Sequence, residues 1–505
     1  MFYPLKGVSK LRLTKTNLPY IAIFILFFFN SNINNNISHY SILFLLKYGI
    51  FAFILLLSIY FFITNKTKNY LKTTLLIPFT IDYQLHLAFI VLTLLLYNKK
   101  LFLKFNSPLK PIYILFFWGL FSFLVNQFIE INLLSFPIFT FTFFISFIFF
   151  GLFTNLGLEF KDELVKFFYN LVLIMSAVII MQIILYPDLH PDYWNGGTPH
   201  AHISAAYLSI AFIMSTIKLE RIRTAPFRIY FREIITAAIA LPILFLIDAK
   251  YFLVLTLVIL IGYFFIFSFV SRKIKALSFG VLSLLIILFF STPEKPLPLS
   301  LLTLNTSKYN LNRLNAKFKD SPREKLIEAA VKLPFEEPLV FLIGSGPGTF
   351  TSRAAYLQFN LANSSNDITY NYGREKINFT SKFAKKDTWI RSKYAKDAFY
   401  DKIDLGSLFN RRTGLISIYV ELGIVGLGIF IFFHFYLIKS VLKEKNLPKT
   451  NLMLAVIPLT VLFLSINYFS YWCEYPNYCI IQYGILSLLL SEFNSTQVSQ
   501  IAQKD

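Results

Sequence analysis

The feature that most constrains this chain is a series of long apolar stretches, each close to the length of a membrane-spanning helix. A helix needs about 20 apolar residues to cross a hydrocarbon core of ~30 Å. The stretches predict an all-α polytopic membrane protein. Composition agrees, because 56% of the 505 residues are hydrophobic and only 15% are charged. The stretches lie at residues 18–33, 41–63, 75–97, 112–129, 133–153, 164–186, 202–217, 233–248, 251–270, 277–291, 414–438, 452–470 and 477–492.

Basic residues between these spans orient the chain, because Lys and Arg concentrate in cytoplasmic loops. Clusters within residues 221–232, 272–275 and 439–449 agree on one orientation. They predict that residues 292–413 form one long, partly helical extracytoplasmic loop.

The same orientation divides the chain into membrane regions at 1–291 and 414–492 and a cytoplasmic tail at 493–505. In the N-terminal third, an odd number of spans separates two basic regions. We therefore expect about 12 spans, with 13 spans and either orientation of the N-terminus left open.

The net charge of +21 would suggest a nucleic-acid partner in a soluble protein. In a membrane protein, basic residues that flank cytoplasmic helix ends explain most of it, so we expect no nucleic acid. The predicted outer loop is also basic, however. It is either a solvated domain face or a surface that attracts an anionic substrate.

The sharpest local pattern is the run from Gly344 through Gly346 to Gly348. Three glycines in five residues permit positive φ angles and close backbone approach, and successive N–H groups can bind an anion. No Lys-Ser/Thr pair follows, so the run is not a Walker A loop. It also lacks the βαβ context of a dinucleotide fingerprint. A structural turn and an anion-binding turn both remain open.

A second pattern closes the loop, where Arg411 and Arg412 precede an apolar span. Glu421 lies about nine residues further along this span, and Gly423 and Gly426 follow it. A carboxyl group inside a membrane span is costly and is usually functional or paired.

Together these patterns resemble the O-antigen ligase and O-antigen polymerase family. The polymerases of that family carry an Arg, ten residues and then Gly, which Arg412 and Gly423 match. The ligases carry a His where this chain has Arg412, so the resemblance favours a polymerase. Earlier in the loop, Arg313, Arg323 and the Gly344–Phe350 turn resemble the family's remaining elements. The resemblance covers about residues 185–440.

The resemblance implies a fold similar to GT-C type glycosyltransferases in a bacterial inner membrane. It implies polymerisation of polyprenyl-diphosphate-linked oligosaccharide units into O-antigen, capsule or exopolysaccharide. Donor and acceptor glycans and the lipid bilayer would be the partners, with a flippase and a chain-length regulator. No cofactor and no metal are expected.

Several residues receive roles through this resemblance. Arg313, Arg323 and Arg412 would clamp the diphosphate, since guanidinium groups stay charged and bind two oxygens at once. Arg353 and Arg411 would stand behind them, and Gly344, Gly346 and Gly348 would contact substrate.

An acceptor hydroxyl must lose its proton during attack, and three side chains are candidate bases: Glu421, His200 and His202. The loop that carries the two histidines lacks the Arg that the family often has there. A water-facing or substrate-binding role for His200 and His202 is favoured over a zinc site, because no third ligand is obvious.

Three other interpretations stay open. One is a ligase of the same family, the second is a lipid-linked oligosaccharide flippase or other transporter, and the third is a sensor or structural membrane protein. Separately, Cys473 and Cys479 flank a short loop predicted outside the cytoplasm, where a disulfide can form.

Overall fold

The structure is a computed structural model of the chain. It describes residues 18–35, 42–64, 66–79, 110–128, 133, 135–144, 147, 150, 161–187, 191–198, 200–219, 231–247, 249–267, 331–332, 334–335, 338–348, 414–443, 452–469 and 478–490.

Every regular element in these residues is a helix. The helices are α1 (Leu18–Asn35), α2 (Ile42–Ile63), α3 (Thr67–Thr74), α4 (Lys110–Gln127), α5 (Ser135–Phe139), α6 (Lys161–Leu185), α7 (Ala201–Leu219), α8 (Phe231–Leu246), α9 (Lys250–Phe267), α10 (Pro338–Ile343), α11 (Gly414–Lys443), α12 (Val456–Phe469) and α13 (Tyr478–Leu490). Short 3₁₀ turns occupy Ile77–Phe79, Pro191–Tyr193 and Leu452–Ala455.

Three of these helices are long and apolar enough to cross a membrane: α6, α7 and α11. Shorter apolar helices lie within α1, α2, α9, α12 and α13 and across residues 135–144. The helix bounds follow the apolar stretches closely. For example, α6 occupies Lys161–Leu185 where the sequence predicts a span at 164–186.

The structure differs from the predicted spans in two places. The stretch predicted to span from residue 75 begins with a turn and a 3₁₀ helix at Ile77–Phe79, where Pro78 cannot donate to an α-helical ladder. The stretch predicted at 133–153 changes from α5 to π-helical geometry at Thr140–Phe144. A π segment widens the helix and often marks a site where the ladder is disturbed.

Helix α7 lies at the centre of the described helices, and it packs on α6, α8, α9 and α12. Small side chains such as Ser204, Ala205 and Ala206 are buried along it. Small residues let neighbouring helix backbones approach closely where no hydrophobic effect drives association. Further along α7, the hydroxyl of Tyr207 donates to the carbonyl of Leu75 at 2.9 Å and joins α7 to the turn after α3.

Ion pairs join helix ends in the part of the chain that the structure describes. Lys218 in the last turn of α7 pairs with Glu233 in the first turn of α8. Lys72 in α3 pairs with Glu163 in the first turn of α6. The end of α7 therefore lies beside the start of α8, and α3 lies beside the start of α6.

Candidate functional site

The glycine-rich turn follows α10 directly and is buried. Gly344, Gly346 and Gly348 all have positive φ, at 93°, 98° and 72°. L-residues with a side chain rarely adopt such angles, which explains why glycine occupies all three positions. The turn is therefore a sharply folded backbone segment inside the protein.

The N–H groups of this turn bind other parts of the protein. Those of Ser345 and Gly346 donate to the carbonyls of Val420 and Glu421 in α11, at 2.8 and 3.1 Å. The N–H of Gly348 donates to Oε2 of Glu421 at 2.6 Å. In this arrangement the turn binds a helix through the donors that an anion would use.

Helix α11 is broken at the point of contact. Gly423 has φ 70° and ψ −179°, a conformation that is essentially restricted to glycine. At such a break the backbone ladder is interrupted, and its polar groups need other partners. The break and the glycine-rich turn thus supply each other with hydrogen-bond partners.

The fit between turn and helix leaves no room for side chains. A Cβ on Gly344 would lie 2.2 Å from the carbonyl oxygen of Glu421, and one on Gly423 would lie 2.2 Å from that of Leu342. The close contact between turn and helix thus depends on two glycines that are far apart in the sequence. At Gly426, an added Cβ would lie 2.3 Å from Cβ of Leu422.

Helix α4 supplies the third side of the site. The indole Nε1–H of Trp118 donates to the carbonyl of Leu422 at 2.7 Å. The amide of Asn126 donates to the carbonyl of Gly344 at 3.0 Å. Ser122 makes a longer contact of 3.4 Å with the carbonyl of Glu421. These residues recur every four positions, so they share one helix face.

Sequence reasoning missed this face of α4. The sequence does contain a pattern that could have revealed it: Ser122 and Asn126 are polar residues one turn apart in a mostly apolar helix. A polar stripe of this kind inside a membrane helix indicates a contact with another polar group.

Glu421 brings the one carboxyl group into this site, among the described residues. Its side chain is fully buried, and its carbonyl and carboxyl oxygens both accept hydrogen bonds from the turn. The carboxyl group accepts from the backbone N–H of Gly348, and the main-chain carbonyl accepts from that of Gly346.

The five candidate arginines, Arg313, Arg323, Arg353, Arg411 and Arg412, lie outside the described residues. Arg412 precedes Gly414, the first residue of α11, by two positions. The diphosphate clamp stays a prediction. Cys473 also lies outside the described residues, so its disulfide with buried Cys479 stays a prediction too.

The candidate histidines lie where a second buried turn leads into α7: His200 comes just before the helix and His202 is in its first turn. His200 is exposed, and the ring of His202 packs on Tyr251 and Phe252 in α9, with centroids 5.4 and 6.5 Å apart.

The turn before these histidines is held by side-chain hydrogen bonds. Gln182 of α6 accepts from the N–H of Gly196 at 2.9 Å and donates to the carbonyl of Tyr193 at 3.2 Å. Thr198 and Ser204 bond to each other and to the carbonyl of Asn195. This network fixes the start of α7.

Another buried polar residue that sequence reasoning did not single out is His434 in α11. Its Nδ1 lies 2.8 Å from the carbonyl of Phe430, and its Nε2 lies 3.4 Å from the hydroxyl of Tyr483 in α13. Within the described residues, no cluster of three or more His, Cys, Asp or Glu side chains suited to a metal is found.

No protein-family model matches the chain, and no curated protein is significantly similar to it in sequence.

Proposed function

We propose that this protein is a membrane glycosyltransferase that polymerises polyprenyl-diphosphate-linked oligosaccharide units into a surface polysaccharide. One observation carries the proposal: the Gly344–Gly348 turn and the Gly423 break pack backbone to backbone. These two segments carry separate halves of the resemblance to the O-antigen polymerases. Their contact supports reading them as parts of one site.

The proposal includes the number of membrane spans and the side of the membrane on which the long loop lies. About 12 helices would span a bacterial inner membrane in a GT-C type arrangement, with residues 292–413 on the outer side. A helix broken by Gly423 suits this setting, because irregular backbone at membrane depth is tolerated only inside protein or beside a water-filled cavity.

The proposed reaction joins an acceptor sugar hydroxyl to the anomeric carbon of the donor. The bond between that carbon and the diphosphate oxygen breaks, and the polyprenyl diphosphate leaves with the electron pair. Arg313, Arg323 and Arg412, supported by Arg353 and Arg411, would stabilise the charge of the leaving group. The acceptor proton passes to a base, for which Glu421, His200 and His202 are the candidates.

The partners follow from the same chemistry. The lipid tails of donor and acceptor would lie in the bilayer, a flippase would deliver the units, and a chain-length regulator would end elongation. Because the donor already carries an activated diphosphate, the reaction needs neither a nucleotide sugar nor a metal.

The test is complementation of a strain that lacks the native gene, with polysaccharide length read on a gel. We expect Arg412→Ala to leave single repeat units while the protein still inserts at normal level on a membrane blot. Arg412→Lys should fail similarly, since Lys cannot bind two oxygens in the fork geometry of Arg. Arg232→Ala, at the start of α8, is the matched control and should leave long chains. Long chains in both Arg412 variants would refute the proposal.

A transporter of lipid-linked oligosaccharide is the second candidate, because broken helices such as α11 are typical of transporter binding sites. In that case the Arg412 variants would trap lipid-linked units on the cytoplasmic side. Mass spectrometry of the lipid-linked pool on the two faces of the membrane separates the two functions.

A further inference from the structure

The bond between Glu421 and Gly348 has an unusual position in the chain. Gly348 ends the glycine-rich turn, and Glu421 lies in α11. The bond therefore ties the end of the turn to the first part of α11, two segments that residues 349–413 separate in the sequence. Gly414 lies seven residues before Glu421, which is about 10 Å along a helix.

We propose that Glu421 is a positioning residue: it holds the Gly344–Gly348 turn on the broken helix and so fixes where the chain enters and leaves the arginine-bearing loop. This role rests on the proposed function and removes Glu421 from the candidate bases. Its carboxyl accepts the Gly348 N–H at 2.6 Å, and its carbonyl accepts the Gly346 N–H at 3.1 Å.

The burial of Glu421 argues for positioning over proton transfer. A general base must come within hydrogen-bond reach of the hydroxyl that it deprotonates. The Glu421 side chain has 0% exposure and lies beneath the turn that it binds. A sugar hydroxyl would have to displace that turn to reach the carboxyl.

Two substitutions separate the roles. Glu421→Gln keeps an oxygen that accepts from Gly348 but cannot act as a base. Glu421→Ala removes the acceptor and leaves a buried N–H without it. A positioning role predicts that Gln works and Ala fails, whereas a base predicts that both fail.

The first measurement is independent of polysaccharide synthesis. Ser345 is 4% exposed, so a Ser345→Cys reporter should react slowly with a membrane-impermeant maleimide while the turn is docked. The reporter is placed in a Cys473→Ser, Cys479→Ala background. We expect Glu421→Ala to speed labelling about tenfold or more, the size expected for losing one buried hydrogen bond. Glu421→Gln should stay close to the parent.

Glu233→Ala in α8 is the matched control, because it removes another buried carboxyl that pairs with Lys218 instead. It should leave the labelling rate of the reporter unchanged. Unchanged labelling in Glu421→Ala would overturn the proposal, as would equal acceleration in Glu233→Ala.

The second measurement is polysaccharide length and its dependence on pH. We expect Glu421→Gln to keep polymer synthesis within about threefold of the parent, because the amide oxygen of Gln still accepts from the Gly348 N–H. Its pH profile should match that of the parent. If Glu421→Gln labels as slowly as the parent but makes no polymer, the positioning role is overturned and Glu421 is identified as the base. If Glu421→Ala fails to accumulate, the Gln variant still decides between the roles.

The two proposals fail differently. If the parent chain makes no polymer, the polymerase function falls, while the labelling rates still decide whether Glu421 holds the turn. If polymer is made and Glu421→Ala labels slowly, the polymerase stands and the positioning role falls.

Discussion

Gly423 and Gly344 meet backbone to backbone, so closely that a Cβ on Gly423 would lie 2.8 Å from the amide nitrogen of Gly344. The first residue breaks helix α11, and the second opens the turn after α10. Their contact makes one site from two segments that residues 349–413 separate in the sequence.

Replacing either glycine should therefore destabilise the protein. We expect Gly423→Ala and Gly344→Ala each to lower stability by more than about 2 kcal/mol, since positive φ alone costs about 1–3 kcal/mol and a backbone clash adds to it. The thermal midpoint of the detergent-purified protein measures the effect. Gly428→Ala is the control, because a Cβ there meets nothing within 4 Å. If Gly423→Ala and Gly428→Ala unfold at the same temperature, the close contact between Gly423 and Gly344 is contradicted.

The indole of Trp118 should contribute through its N–H. Trp118→Phe keeps an aromatic ring but removes the donor to the Leu422 carbonyl, so we expect a loss of about 1–2 kcal/mol. Phe117→Leu, on the exposed side of the same helix, should change stability by less than about 0.5 kcal/mol. The thermal midpoints of both variants are compared with that of the parent. Equal midpoints for the two variants would contradict the hydrogen bond from Trp118.

Gln182 should matter more than its place in an apolar helix suggests. Gln182→Leu would leave the buried N–H of Gly196 without its acceptor, which costs about 1–3 kcal/mol. Ser176→Ala, one and a half turns earlier on α6, is the control. That hydroxyl is buried, and the described residues offer it no hydrogen-bond partner, so its removal should be neutral. Equal thermal midpoints for the two variants would argue against the bond to Gly196.

The Lys218–Glu233 pair should show its value when one member is removed. Lys218→Ala leaves the carboxyl of Glu233 buried, with a side-chain exposure of only 5%. Because Lys218 itself is about one-third exposed, solvent screens the pair, and we expect a loss of about 1–3 kcal/mol. Exchanging the two residues, Lys218→Glu with Glu233→Lys, should recover part of this loss. No recovery in the thermal midpoint would mean that packing, rather than charge, connects α7 and α8.

Much of the helical architecture is predictable because its cause is local. The limits of α6, α7 and α9 follow from where apolar runs begin and end. The exceptions are local too. Pro78 interrupts the backbone ladder after α3, and the stretch after Ser135 adopts π geometry.

The candidate site was predictable only in part. Glu421 and the glycines of the turn stand out because a carboxyl in a span and three closely spaced glycines both need an explanation. Trp118 and Asn126 do not stand out, since their role depends on which carbonyls face them across the bundle. The same holds for His434 and its contact with Tyr483.

The sequence by itself determined which segments become helices, because apolar length and backbone chemistry act over a few neighbouring residues. Only the tertiary structure decided that the turn at Gly344 docks on the break at Gly423. That pairing depends on backbone donors and acceptors, which every residue carries and no side-chain pattern reveals. Buried backbone groups must find partners, and the packing of α4, α10 and α11 determines which partners they find.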